Sequence, residues 1–296
     1  MTREKALARL KSKVPRADLL DRLTKPDSGV SEAEFIQNCA TVVVAGSDTT
    51  ANVLAGTTHF LAQNRRCYDK LCHEVRSRFH SESEITLAAV NELEYLTACL
   101  TEGMRRYPPT PAHLPRRTNM DDYLAGRFVP KDVSLARSFA ALYSMGLAIN
   151  QTVTLHMLLY QTTVSLTQVV MYHTEKYFRR PYDYCPERWL HDPEFASDRR
   201  EALQAFSYGP RGCIGRKYVT LMSMFKGPDN ITRQANLLPY PSLAWIELRL
   251  TIARLIWNFD FESVPGYENW HHQNIYLGWQ KVPLLIRLRP RACSQK

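Results

Sequence analysis

One ten-residue run, Phe206-Ser-Tyr-Gly-Pro-Arg-Gly-Cys-Ile-Gly215, constrains this chain more than any other. Cys213 is its centre, with Arg211 two residues before it and the aromatic Phe206 seven before. Gly209 and Gly215 supply backbone freedom where a side chain would clash with a close-packed flat ligand. Backbone N–H groups at the start of a following helix would stabilise a thiolate on such a loop. The alternative is a structural thiol buried in a glycine turn, which is the ordinary state of a free cysteine.

Two further stretches carry unusual chemistry. Ser31-Glu-Ala-Glu34 is a capping-box signature. It opens a proline-free segment that runs through Phe35, Val42, Val43, Val44 and Leu54 to about Asn64, expected as one long, largely buried helix. In its middle sits Ala45-Gly-Ser-Asp-Thr-Thr50. There Gly46 weakens the helix by about 1 kcal/mol, and a buried Asp48 is costly unless paired. Such a run is either a packing glycine with hydroxyls bonded back to the helix, or a widened groove holding a proton-relay hydroxyl. Two more helices are expected, over Arg66–Phe79 and from Leu87 or Leu93 to Tyr107, where Pro108-Pro109 ends the second. Glu102 and Arg105 share a face of that second helix, a spacing common on protein surfaces and worth little by itself.

Taken together, F-x-x-G-x-R-x-C-x-G, A-G-x-D-T-T, E-x-x-R and Pro186-Glu-Arg-Trp189 resemble, in order, the motifs of the cytochrome P-450 family of haem-thiolate monooxygenases. The runs Glu247-Leu-Arg-Leu-Thr-Ile-Ala-Arg-Leu-Ile-Trp-Asn-Phe and Tyr172-His-Thr-Glu-Lys-Tyr-Phe178 are similar to the fungal subgroup that includes benzoate 4-monooxygenase-like and isotrichodermin hydroxylase-like enzymes. The resemblance implies a mainly α fold with small β-sheets, the C-terminal portion of the family fold, with the N-terminal half missing. A basic leader (1–30) precedes an I-helix-like segment (31–64), J- and K-helix-like segments (65–107), the haem-thiolate loop (206–215), an L-helix-like segment (243–258) and C-terminal strands (259–291). Strand and turn signals at Leu114–Thr118 and Tyr123–Asp132 match the short sheet after the K helix.

The resemblance also implies roles. Cys213 would ligate the haem iron, and Phe206, Gly209 and Gly215 would shape the loop around it. Arg211 and Arg116 would bind haem propionates by charge-assisted hydrogen bonds. Thr49, with Asp48 beside it, would deliver protons, and Glu102, Arg105 and Arg188 would form a structural lock. Haem would be the cofactor, and an NADPH-dependent reductase, O2 and a small apolar organic substrate the partners. A full-length member would sit at the endoplasmic reticulum membrane. The present chain, having no anchor, would be soluble or peripheral.

Two stretches break the pattern. Val133 to Gln161 lacks clean periodicity, and without it Asp132 joins Thr162-Thr-Val-Ser-Leu-Thr-Gln, a natural strand. Lys217 to Ser242, with Pro239 and Pro241, separates the cysteine loop from the amphipathic Leu243–Leu255 helix that should follow it. Both can be encoded with splice signals: Val133-Ser134 as GTG AGT, Lys217-Tyr-Val as AAG TAT GTN. They are therefore expected as translated introns, genuine loops being the alternative. A truncated, intron-retaining, non-catalytic fragment is accordingly the second functional expectation.

Composition narrows the remaining classes. The 296 residues carry a net charge of +9, but no stripe of basic residues interleaved with aromatics, so nucleic acid is not an expected partner. Seven scattered cysteines without a C-x-x-C pair indicate neither a zinc site nor a disulfide framework.

Overall fold

The computed structural model describes residues 2–12, 14, 20–112, 116–117, 120–124, 126–129, 134–135, 167–216 and 242–291. The described residues are mainly helical and form three two-stranded antiparallel sheets. The N-terminal segment forms α1 (Thr2–Lys11). It lies on the start of α2 (Glu32–Gln63) through a small cluster of Ala6, Phe35 and Cys39. The expected capping box is present. Ser31 Oγ accepts from the Glu34 N–H, and the Glu34 carboxylate accepts from the Ser31 N–H at 2.9 Å, fixing where the 32-residue, about 48 Å helix begins.

After α2 the chain turns at once into α3 (Arg65–Arg78), then passes through α4 (Leu87–Asn91) into α5 (Glu94–Arg106). Glu74 of α3 serves as a remote cap for α5, its carboxylate accepting the N–H groups of Tyr95 and Leu96 at 2.7 and 2.8 Å. Those donors have no partner within their own helix. At the far end of the molecule α7 (Leu243–Asn258) packs on α2, α3 and α5 and runs directly into β5 (Phe259–Ser263). Arg76 of α3 closes its C-terminus, donating to the carbonyls of Ile256 and Phe259 at 2.8 and 3.0 Å and to Asp260 at 2.7 Å. The main core lies among these helices, with Leu61, Leu71, Val75, Leu96, Leu100, Ile252 and Ile256 fully buried.

The sheets are small. β1 (Arg116–Arg117) pairs with β4 (Ser134–Leu135), β2 (Asp122–Leu124) with β3 (Arg127–Val129), and β5 with β6 (Ile286–Pro290). The β2–β3 hairpin turns through Gly126 at φ +76°, a left-handed conformation that favours glycine. α6 (Gln168–Tyr172) leads towards a turn-rich segment ending at the cysteine loop.

Three expectations need correction. The middle of α2 is not buried, since Val43 and Val44 are 54% and 59% exposed. The chain packs α2 at its two ends, on α1 and on α5 and α7, and no described element covers the stretch between. The C-terminal strands expected over 259–291 narrow to β5, an isolated Ile275–Trp279 bridge and β6. Ser134–Leu135, expected inside an insertion, pair with β1. The remainder of the 133–161 stretch, the Thr162 strand as far as residue 166, and residues 217–241 lie outside the described residues. Among the described residues no helix is long and apolar enough to cross a membrane.

α2 and α5 cross at glycine. A Cβ on Gly56 would stand 2.7 Å from Tyr107 Cβ and 2.9 Å from Tyr107 Cδ1, too close for any side chain to be accepted without moving the helix. Gly56→Ala is therefore expected to destabilise the fold by about 1–3 kcal/mol, measured by urea denaturation. An unchanged midpoint would mean that the crossing is not rigid.

Candidate functional site

The Glu–Arg–Arg cluster expected from sequence is assembled, and it is wholly buried: Glu102, Arg105 and Arg188 are each 0% exposed. The Glu102 carboxylate is saturated. Its Oε1 accepts from Arg105 Nη2 at 2.8 Å, Arg188 Nε at 3.0 Å and the Cys185 N–H at 3.0 Å. Its Oε2 accepts from Arg105 Nε at 2.9 Å and Trp189 Nε1 at 2.9 Å. Arg105 spends its other donors on the carbonyls of Tyr172, Pro181 and Asp183 at 2.6–2.9 Å. Arg188 in turn holds Asp198 and the Arg179 carbonyl. Burial would raise the Glu102 pKa, but the two guanidinium groups outweigh it and hold the carboxyl below its ordinary range.

Asp198 was not expected from sequence. It stands ten residues beyond Arg188 in a turn with no motif of its own, so only the fold brings it there. It completes a set of two carboxylates and two guanidiniums with no net charge. Trp189 and the Cys185 N–H were likewise not singled out. A second cluster lies on the residue before Arg188. Glu187 binds Arg66 at 2.5 Å and Lys70 at 2.8 Å. Burial alone would raise the Glu187 pKa, but these hydrogen bonds pull it down to about 2.

The segment locked by this network leads to the cysteine loop. Residues Gly209–Arg211 make one 3-10 turn, with Ser207 at φ +59° and Gly209 at φ +72°. The loop closes on itself through the Cys213 N–H, which donates to the Phe206 carbonyl at 2.8 Å. Phe206 faces the core, its ring centre 6.1 Å from that of Trp245 on α7. Cys213 is exposed, while the other cysteines among the described residues, Cys39, Cys67, Cys72, Cys99 and Cys185, are buried. Gly215 is close to the sulfur, and a Cβ there would sit 3.5 Å from Sγ. Arg211 is exposed beside it. Among the described residues Cys213 is the accessible thiol, and its glycine-rimmed loop fits a thiolate ligand to a flat group.

After the loop, residues 214–216 form one helical turn. Ser242, just before α7, is 3% exposed, and its hydroxyl donates to the Gly215 carbonyl at 2.9 Å. Chain positions 215 and 242 thus meet in space.

On α2, Thr49 donates its hydroxyl back to the Ala45 carbonyl at 2.7 Å, and Ser47 does the same to Val43. Asp48 is half exposed and paired with Lys281 at 2.6 Å, so the expected buried carboxylate is instead a surface ion pair. A Cβ on Gly46 would meet no atom within 4 Å, so no neighbour among the described residues demands a glycine there. Arg116 is in β1, but its side chain lies outside the described part of the structure. Thr50, the last residue of the α2 run, donates its hydroxyl to Glu247 of α7 at 3.4 Å, and the same helix meets the cysteine loop at Trp245 and Ser242.

The network lends itself to a direct test. Glu102→Gln leaves two buried guanidiniums short of a charge and is expected to cost about 3–5 kcal/mol of stability, read from thermal or urea unfolding. Because the Glu102 pKa is depressed in the folded state, its contribution is complete above the ordinary carboxyl value near 4.5 and is lost as pH falls through the lower folded value. The variant's stability should therefore fall less steeply on acidification than that of the parent chain.

Against known proteins, the profile of the family described as Cytochrome P450 matches residues 2–145 and 157–226. Averantin hydroxylase of Dothistroma septosporum is 35% identical over 302 aligned positions, covering 99% of this chain and 47% of its own length. Cytochrome P450 monooxygenases of Alternaria solani and Aspergillus oryzae are 34% and 32% identical, each covering 98% of this chain and 47% of their own length. The chain spans about half the length of the curated relatives it matches.

Proposed function

Because this chain belongs to the cytochrome P450 family, we propose that it carries the thiolate-ligand half of a haem monooxygenase that acts on a small apolar organic substrate. The observation that carries this reading is Cys213, exposed on its F-x-x-G-x-R-x-C-x-G loop while the other described cysteines are buried. When bound, a haem held through a thiolate would supply the insertion of one oxygen atom of O2 into substrate. Cys213 would provide the thiolate, Gly209 and Gly215 the close approach, and Arg211 and Arg116 cations for propionates. Phe206 anchors the loop to α7 through Trp245.

Thr49 would hold and pass a proton at Oγ1, exchanging its bond to the Ala45 carbonyl for one to the reacting group. Asp48, oriented by Lys281, would be the neighbouring acid. Electrons would come from an NADPH-dependent reductase, and the full-length protein would reside at the endoplasmic reticulum membrane. These two assignments rest on the family alone, as does the assignment to the benzoate 4-monooxygenase-like and isotrichodermin hydroxylase-like fungal subgroup. The segment divisions given from sequence stand as part of the same proposal.

The reduced, CO-bound absorption spectrum of the chain expressed with haem tests this. A thiolate-type Soret band that disappears in Cys213→Ala is the expected result. A band that survives the substitution would assign another ligand, and no band in the parent chain would leave the second reading.

That second reading, a non-catalytic fragment carrying inserted sequence, is favoured by the contact between Ser242 and Gly215. The two ends of the segment meet, as they would at an insertion. Deleting 217–241 is expected to join the turn at 214–216 to α7 and raise stability by about 2–3 kcal/mol through removal of loop-closure entropy. A lower melting temperature in the deletion chain would show that the segment is structural. Sequencing of the mature transcript tells whether 133–161 and 217–242 are spliced out.

A further inference from the structure

Arg106 is the buried cation that the Glu102 network leaves out. It follows Arg105 on α5 and is 7% exposed. Its guanidinium carbon lies 5.0 Å from the centre of the Phe60 ring, a cation–π contact, and its Nε is buried with no hydrogen-bond partner. Burial and the charge of Arg105 lower its pKa to about 10, which still leaves it cationic at neutral pH. The fields of Glu102 and Asp183 oppose this shift only in part, and no carboxylate among the described residues forms an ion pair with Arg106. A buried charge so placed is costly, and an anion is a natural means of relieving it.

Two clefts meet at this residue. One, of about 530 Å3, lies between the end of α2, the Tyr182–Cys185 segment and residues 268–272. The other, of about 700 Å3, lies between α6 and residues 271–279. Arg106, Tyr182, His271 and His272 line both. Behind them His59 Nε2 and His271 Nδ1 share a hydrogen bond of 3.0 Å, and burial keeps both imidazoles neutral, with pKa values of about 4 and about 3. A phenol and neutral imidazoles add O–H and N–H donors beside the guanidinium.

The carboxylates in the same walls form no ion pair with Arg106. Asp183 is held by Arg180 at 2.7 Å, Glu268 accepts the Gly266 N–H at 3.1 Å, and Glu175 is exposed. Neither cleft is lined by the 206–216 loop or by the 45–50 run of α2, so this region is separate from the residues proposed above for monooxygenation.

We propose that the paired clefts form an oxyanion site, in which Arg106, aided by Tyr182 and His272, binds the phosphate or carboxylate group of a small molecule. The full chain, titrated with inorganic phosphate and separately with sodium acetate against sodium chloride of equal ionic strength, provides the test. The melting temperature should rise saturably with at least one of the two anions, and calorimetry should give one site per chain. A response to phosphate, to acetate or to both supports the site and tells which group it takes. A response to neither overturns it.

Arg106→Met keeps the apolar stem over Phe60 and removes the charge. It is expected to weaken anion binding by about tenfold or more, and to melt no lower than the parent in chloride. Equal binding by this variant and the parent places the anion elsewhere and overturns the proposal. If Arg106→Met does not fold, Tyr182→Phe and His272→Ala at the cleft rim serve instead. Each should weaken binding by roughly threefold, and unchanged affinity in both overturns the assignment.

Discussion

A single buried carboxylate organises the described structure. Glu102 accepts five hydrogen bonds from four residues that reach it from α5 and from the Cys185–Trp189 turn. Through Arg105 and Arg188 it also fixes carbonyls from Tyr172 to Asp183. That segment has almost no regular secondary structure, so its backbone groups have few ladder partners of their own and depend on these guanidiniums instead. An apolar core could bury the same volume, but it could not tell one irregular backbone path from another. Five directional donors can. The lock therefore specifies the path into the cysteine loop more than it adds net stability, since buried ion pairs roughly cancel their own desolvation.

Much of this was legible because it is local. The capping box of Ser31 and Glu34, the length of α2, the limits of α3 and α5 and the β2–β3 turn all follow from spacing along the chain. The pairing of Glu102 with Arg105 is also a helix spacing, but its burial is not, because an i, i+3 pair looks the same on a surface as in a core. Only the motif order pointed to Arg188. Asp198 gave no signal, since the role of a carboxylate in a turn is decided by what the turn folds against. The exposure of Val43, Val44 and Asp48 was misjudged for a related reason. Apolar pattern shows that a face can be buried, and it does not identify the element that buries it.

The cysteine loop illustrates how far local geometry reaches. Its own bond, Cys213 N–H to the Phe206 carbonyl, closes a turn that presents the sulfur outward, and the Phe206 ring ties that turn to α7. The loop is thus positioned from both sides, by the Glu102 network before it and by α7 after it. Ser242 bonded to Gly215 keeps the second support in place although twenty-six residues separate those two positions in the chain. The separation in sequence overstates the separation in space, which is why the helix can still serve the loop.

Arg105 and Arg106 are consecutive residues on one helix, both buried, and the fold treats them in opposite ways. Arg105 points into a network in which Glu102 and Asp198 balance it and Arg188. Arg106, about 100° round the helix, meets an aromatic face and two clefts lined by histidines. A guanidinium cannot relieve its burial by losing a proton at neutral pH, so the two environments are not alternatives of equal standing. The first is complete without a ligand. The second has no ion-pair partner among the described residues, and that lack is what distinguishes a structural arginine from one whose surroundings are shaped to receive a partner.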